Sequence, residues 1–283
     1  MTTLWLNGDL LDATEARIDP TDRGFLLGAG LFETILVREG KPVFVREHLT
    51  RLREGAARLN IALALDNQAL THAIEAVLAA NDLVKSDRAS LRITLTEGPG
   101  PRGLVAPAPL SPTLLISAAP GQTPALAIKA HTTDIRRNEM SGIADLKTLP
   151  YLDQVRARRE ASQEGADVAL FLNTKGKLCC ATAANIFLWD SNTLLTPPVP
   201  DGCLNGITRL KIIEAARAVG LSVFEESITL STLANVESAF VTNSLVGVQE
   251  ISALDLRPLK SHAQIDLIRK TLDEAERKSL SAL

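Results

Sequence analysis

The chain has 283 residues, longer than one average domain, and with 46% apolar and 22% charged side chains it can bury two cores without help from metals or disulfides. Thirty Lys and Arg against thirty-three Asp and Glu leave a formal charge of −3, so no positive field exists to hold a polyanion, and nucleic acid is not expected as a partner. No apolar run nears the roughly 20 residues of a bilayer span, and the three cysteines (Cys179, Cys180, Cys203) lack Cys-x-x-Cys spacing; this predicts no membrane, no metal and a reducing cytoplasm.

Asn7-Gly8 is the pair a tight hairpin needs, because both turn positions take positive φ. Leu49, Leu52, Ala56 and Leu59 recur at helical spacing over 46–59, and Leu70, Ile74, Val77 and Leu78 do so over 70–80, predicting two amphipathic helices. Residues 90–96 alternate apolar and polar with period two, as a strand with one buried face does. Residues 98–112 are rich in proline and glycine, which deny ladders their donors, so a loop follows. A strand over 114–118 and a break at 119–124 then predict the domain boundary: a smaller N-terminal α/β domain at 1–118, a linker at 119–124 and a larger C-terminal domain at 125–283. The second part reads as a helix over 152–164, a strand over 168–172, a turn at 173–176 and a strand over 184–189. A helix over 207–219 follows Asn205-Gly206 and ends at Gly220, placed as a C′ glycine would be. Such a glycine-to-helix junction presents unpaired N–H groups and the positive end of the helix dipole; it suits a phosphate, and it is also an ordinary turn.

Six segments occur in order: Asp22-Arg-Gly-Phe-Leu-Leu-Gly-Ala-Gly-Leu-Phe-Glu-Thr34, His48-Leu-Thr-Arg-Leu52, Leu146-Lys-Thr-Leu-Pro-Tyr-Leu152, Ala184-Asn-Ile-Phe187, Asn205-Gly-Ile-Thr-Arg209 and Thr242-Asn-Ser-Leu-Val-Gly-Val248. In these the chain resembles the class IV aminotransferases, the fold-type IV family that includes D-amino-acid and branched-chain aminotransferases and aminodeoxychorismate lyase. The resemblance implies a two-domain α+β fold, pyridoxal 5'-phosphate as cofactor, a homodimer, and Lys147 as the residue that forms the internal aldimine. Ile143, Ala144, Leu146, Leu149 and Leu152 flank that lysine in sequence. An ammonium in apolar surroundings gives up its proton more readily, which suits a nucleophile and proton shuttle; a snorkelling surface lysine is the ordinary alternative.

Family positions also assign the cofactor to Arg51, Cys180, Asn185, Ile207, Thr208, Asn243 and Ser244. Arg51 offers a planar fork to phosphate oxygens, Thr208 lies at the helix start and Ser244 adds a neutral donor. Each has a plain reading too: a solvated helix arginine, a first-turn threonine, a turn serine. Two positions depart from the family. Counting back from Asn185, Cys180 stands where relatives place a glutamate against the pyridine nitrogen, and an ordinary thiol, with a pKa of about 8.5, is a weak partner there. Glu97 stands where many relatives carry an arginine for the substrate carboxylate, leaving Arg102 as the candidate clamp, with Phe25, Phe32, Thr34 and Tyr151 as candidate pocket residues. The implied reaction moves an amino group from an amino acid to a 2-keto acid, with Lys147 taking the Cα proton and reprotonation at C4′ of the cofactor. The alternatives are aminodeoxychorismate lyase, which releases p-aminobenzoate and pyruvate, and a cofactor-binding protein without turnover.

Overall fold

The computed structural model describes residues 2–105 and 110–281. They form two compact units: one takes the chain up to Thr123, the segment Leu146–Pro150 and the chain from Ser279, and the other takes Pro124–Asp145 and Tyr151–Lys278.

The first unit begins with β1 (Thr3–Leu6) and β2 (Asp9–Asp12), joined by Asn7 and Gly8 at φ 52° and 121°. α1 (Arg23–Leu27), β3 (Gly30–Arg38), β4 (Lys41–Pro42), α2 (Val45–Arg58), α3 (Asn67–Ala80), β5 (Ala89–Thr96) and β6 (Leu114–Pro120) follow. The strands make one sheet in the order β2-β1-β6-β5-β3-β4, antiparallel throughout. Strand alternation turns Leu31, Ile35 and Val37 to the same face as Leu91, Ile93 and Ile116, and this face packs with Leu49 and Leu52 of α2 and Ile74 and Leu78 of α3. Asp66 accepts from Ala69 N and starts α3 three residues ahead of its apolar pattern. The described parts of the loop at 98–112 hold no helix or strand; residues 106–109 lie outside the described residues.

Because β4 has only two residues, it leaves the Gly30–Phe32 end of β3 open on that edge. Residues 146–150 fill it: Thr148 pairs with Leu31, Phe32 N donates to Lys147 O at 3.0 Å, and Leu149 N donates to Gly30 O at 3.1 Å. The sequence reading had placed everything beyond 124 in the second domain. The unpaired edge groups of β3 need partners, and the returning chain supplies them. Thr123 and Pro124 divide the units, while Ala119 and Pro120, read as linker, extend β6.

The second unit comprises β7 (Ala127–Arg137), α4 (Leu152–Gln163), β8 (Val168–Asn173), β9 (Leu178–Ala181), β10 (Asn185–Asp190), β11 (Thr193–Thr196), α5 (Ile207–Ala218), β12 (Ser222–Glu225), α6 (Leu230–Asn235), β13 (Ser238–Asn243), β14 (Gly247–Leu254) and β15 (Arg257–Pro258). The last helix, α7 (Ile265–Leu280), belongs to this unit as far as Lys278. Its sheet runs β12-β11-β10-β13-β14-β7-β8-β9, with β15 on β14. Ala157 and Ala161 of α4 are small enough to pack closely against Ala169 and Phe171 of β8. Gly220, at φ 81°, follows the end of α5. Among the described residues, no helix is long and apolar enough to cross a membrane.

Candidate active site

Within the first unit, Glu33 points from β3 toward α2 and is 1% exposed. Arg51 Nε and Nη2 donate to its two oxygens, both at 2.7 Å, and His48 Nδ1 lies 2.7 Å from Oε2. His48 and Arg51 are one helical turn apart, so both reach one carboxylate. Burial would raise the pKa of Glu33, but Arg51 and then His48 outweigh it and hold the group at about 2. Burial lowers the pKa of His48 against the pull of Glu33, with Arg51 and Lys147 adding to the fall, so the ring is neutral and Nδ1–H donates.

Lys147 is half-buried, with Nζ 4.3 Å from the centre of the Phe32 ring. Burial pushes its amine down to about 8; Glu33 opposes the fall, while Arg51 and Arg92 add to it. The sequence neighbours proposed to desolvate it do so only in part, because Ile143 and Leu152 are 40% and 70% exposed. Its buried neighbour is instead Phe32, brought beside it by the strand edge that 146–150 completes. Arg92 is a group the sequence reading missed. Its guanidinium carbon stands 3.9 Å from the centre of the same ring, and Nε donates to Thr94 Oγ1 at 3.2 Å. Thr34 pairs with Arg92 across β3 and β5, so Phe32, Thr34, Thr94 and Arg92 share one sheet face.

Other candidates lie elsewhere. Arg102 is exposed on its loop, Phe25 is 75% exposed on α1, and Tyr151 is half-buried at the start of α4 in the second unit. Glu97 accepts from Arg23 Nε at 2.6 Å, and Arg23 also donates to Gly103 O and Leu104 O at 2.8 and 2.9 Å. The carboxylate at 97 thus secures an arginine that ties down the loop carrying Arg102.

In the second unit, α5 starts at Gly206 with no side-chain cap. Asn185 Nδ2 donates to Leu204 O at 2.8 Å, and a Cβ at position 206 would stand 2.1 Å from Asn185 Oδ1. Ile207 and Thr208 are buried in the first turn. Thr242 pairs with Asn185 across β13 and β10, and its buried Oγ1 has no hydrogen-bond partner among the described residues. Asn243 Oδ1 accepts from Leu245 N and Val246 N, both at 2.9 Å, and so shapes the turn holding Ser244. An uncapped helix start at a position where only glycine fits presents free N–H groups of the kind that suit the phosphate of pyridoxal 5'-phosphate.

Cys180 is not the ordinary thiol expected. A bulge in β9 sets Phe171 opposite Cys180 and Leu172 opposite Leu178, leaving Cys179 as the extra residue. The neighbouring Cys179 thiol and then the positive charge of Arg137 lower the pKa of Cys180 against its burial, while Cys180 and burial raise that of Cys179. Burial pushes Cys203 up to about 12. Among the described residues, no group of three or more His, Cys, Asp or Glu is placed to hold a metal ion.

The fold and these residues define an α+β, pyridoxal-phosphate-dependent enzyme of fold type IV. Residues 30–254 match the profile of Amino-transferase class IV, and the chain belongs to that family. It is 32% identical over 275 residues to a Methanocaldococcus jannaschii protein bearing the name branched-chain-amino-acid aminotransferase, covering 96% of this chain and 94% of that one. It is 29% identical over 247 residues to the aminodeoxychorismate lyase of Bacillus subtilis, covering 87% and 84%. The crystal structure of the Thermoproteus uzoniensis branched-chain aminotransferase with norvaline superposes with a TM-score of 0.89 at 26% identity, covering 99% of this chain and 95% of that one.

Proposed function

We propose that this enzyme transfers the amino group of an amino acid to a 2-keto acid, with Lys147 as its catalytic base. The observation that carries the reading is the Lys147 amine, set at about 8 beside Phe32 and Arg92. Near neutral pH a fraction of that amine is free, and Nζ can take the Cα proton of the substrate and give it back. Pyridoxal 5'-phosphate, when bound, supplies the electron sink that makes this proton removable. Arg92 offers a planar fork to a substrate carboxylate, on the same ring that carries Nζ. Glu33 fixes the Arg51 guanidinium with two hydrogen bonds and keeps positive charge from stripping Lys147 of its proton altogether. Ile207, Thr208, Thr242 and Ser244 are proposed to hold the cofactor phosphate.

A panel of D- and L-amino acids with 2-keto acids, read as new keto acid, tests the assignment. A second reading, aminodeoxychorismate lyase, is favoured by the segments 146–152, 100–103 and 242–248 and by the Bacillus subtilis relative. p-Aminobenzoate formed from aminodeoxychorismate without any keto-acid acceptor would overturn the first reading in favour of the second. Bound cofactor whose spectrum no donor or aminodeoxychorismate alters would leave a protein without turnover. We further propose a homodimer in the cytoplasm, supported by exposed apolar side chains such as Phe25, Leu104 and Val105 and by three free thiols. Light scattering that gives the monomer mass would remove the dimer.

A further inference from the structure

We propose that Phe32 is a positioning residue whose aromatic ring holds both the Lys147 ammonium and the Arg92 guanidinium, so that amine and carboxylate fork are presented to the substrate from one platform. The inference rests on the reading of Lys147 and Arg92 as the groups that act on substrate, and not on which reaction they serve. Lys147 Nζ stands 4.3 Å and the Arg92 guanidinium carbon 3.9 Å from the centre of the ring. Both fall inside the roughly 6 Å over which a cation is attracted to the negative face of an aromatic ring. The strand ladder brings the three together. Phe32 N donates to Lys147 O at 3.0 Å, which sets residue 147 beside position 32. Phe32 pairs with Thr94 and Thr34 pairs with Arg92, so Arg92 is the diagonal neighbour of Phe32 on one sheet face, a gap that an aromatic ring and a long side chain can bridge. Thr94 Oγ1 accepts from Arg92 Nε at 3.2 Å and limits where the guanidinium can turn.

Two cations at one ring repel each other, and removal from water disfavours both. Phe32 is 6% exposed. An aliphatic side chain at that position would give similar burial with nothing to offset the repulsion. The ring's quadrupole attracts both charges instead, and the attraction is strongest where water is excluded. It favours the protonated lysine, since a neutral amine gains no attraction of this kind. Glu33 on β3, His48 and Arg51 on α2 and Arg92 on β5 also face Lys147 with charged or titratable groups. The ring acts on the amine in the same sense as Glu33 and against Arg92. A plain pocket wall needs only volume and apolar surface, and that difference can be measured.

The test replaces Phe32 site-specifically with 4-fluoro-, 3,5-difluoro- and pentafluorophenylalanine, which keep the shape and apolar surface of the ring while withdrawing negative charge from its faces. Full-length, cofactor-free protein is titrated with pyridoxal 5'-phosphate at a series of pH values, and the midpoint of capture reads the Lys147 amine. The midpoint should fall in order along the series, by at least about half a pH unit for the pentafluoro ring. In an Arg92→Met background the fall should persist, because the lysine keeps its own contact with the ring. Phe32→Leu should lower the midpoint as the pentafluoro ring does, and Phe32→Tyr, which keeps an aromatic face, should restore it in part. In the holoenzyme the fluorinated series should raise KM for amino-acid donors about three-fold or more, with a smaller change in kcat, as Arg92 loses its platform. A midpoint indifferent to fluorination would overturn the proposal, whatever Phe32→Leu does through packing. Keto acid formed with midpoint and KM unmoved along the series would leave the transaminase reading standing and remove this one. A midpoint that follows the series in a protein that consumes no donor would sink the transaminase reading and leave this one intact. No capture at any pH would overturn both.

Discussion

Replacing Glu33 by glutamine tests whether the buried carboxylate both holds the first unit together and sets the state of Lys147. Burial works to raise the pKa of Glu33, yet Arg51 and His48 keep it at about 2 instead of 4.5. A gap of that size corresponds to roughly 3 kcal/mol of folding stability. Because the folded value lies below the unfolded one, the contribution is complete above pH 4.5 and is lost as pH falls toward 2. Glutamine preserves the shape but turns an amide toward two guanidinium donors, and breaking a buried pair from one side costs about 3–5 kcal/mol. Urea unfolding at pH 7 should therefore show a loss of roughly that size in E33Q, shrinking below pH 4.5 as the wild type is protonated. The second readout is Lys147. Glu33 is the influence that holds its proton on, so in E33Q the amine falls below about 8. Cofactor-free protein captures pyridoxal 5'-phosphate through the free amine, so the midpoint of capture against pH should move down. A midpoint that stays in place, or a loss of stability under about 1 kcal/mol, would refute the reasoning.

Lys147→Met should abolish turnover and yet stabilise the cofactor-free protein. The folded amine, at about 8, lies below its ordinary 10.5, so the native state bears a penalty below pH 8 that disappears by pH 10.5; the variant should gain up to about 3 kcal/mol at pH 7 and nothing at pH 10.5 in urea unfolding. Gly206→Ala forces a methyl to within 2.1 Å of Asn185 Oδ1 at the start of α5. Its affinity for pyridoxal 5'-phosphate, measured by fluorescence titration, should drop at least about ten-fold, since the helix start must shift away from the phosphate. Arg92→Met should raise KM for amino-acid donors by about ten-fold or more, the scale of one charge-assisted hydrogen bond, with a smaller change in kcat.

The helices α2, α3, α4 and α5 were legible because an amphipathic period, a capping residue or a terminal glycine marks each one. β3 was not read as a nine-residue strand. Glu33 falls among its buried apolar residues, and a carboxylate on a core face breaks the pattern unless its partners on α2 are known. α1 has five residues, too few for a period, and depends on Asp22 accepting from Gly24 N and Phe25 N. Lys147 could be singled out by motif order, but what sets its pKa could not, because Phe32, Glu33, Arg51 and Arg92 reach it from distant strands and a helix. Arg92 itself was visible as a polar position of an alternating strand. Only the pairing of β3 with β5 puts it beside Phe32. The bulge at Cys179 left no local trace at all, since a bulge is defined by the partner strand.

The alternation of β3 has a consequence for the lysine that a double variant can measure. Phe32 and Glu33 are adjacent and face opposite sides of the sheet, and Lys147 lies at the strand edge, where influences from both sides reach it. From the helix side Glu33 raises its pKa; from the opposite face Arg92 lowers it. E33Q should therefore move the capture midpoint down and R92M should move it up. The two groups lie on opposite faces of the sheet, so their effects should add, and the double variant should return toward the wild-type midpoint. A double variant that follows E33Q alone would mean that Glu33 acts on Lys147 through the geometry of β3 and not through its charge.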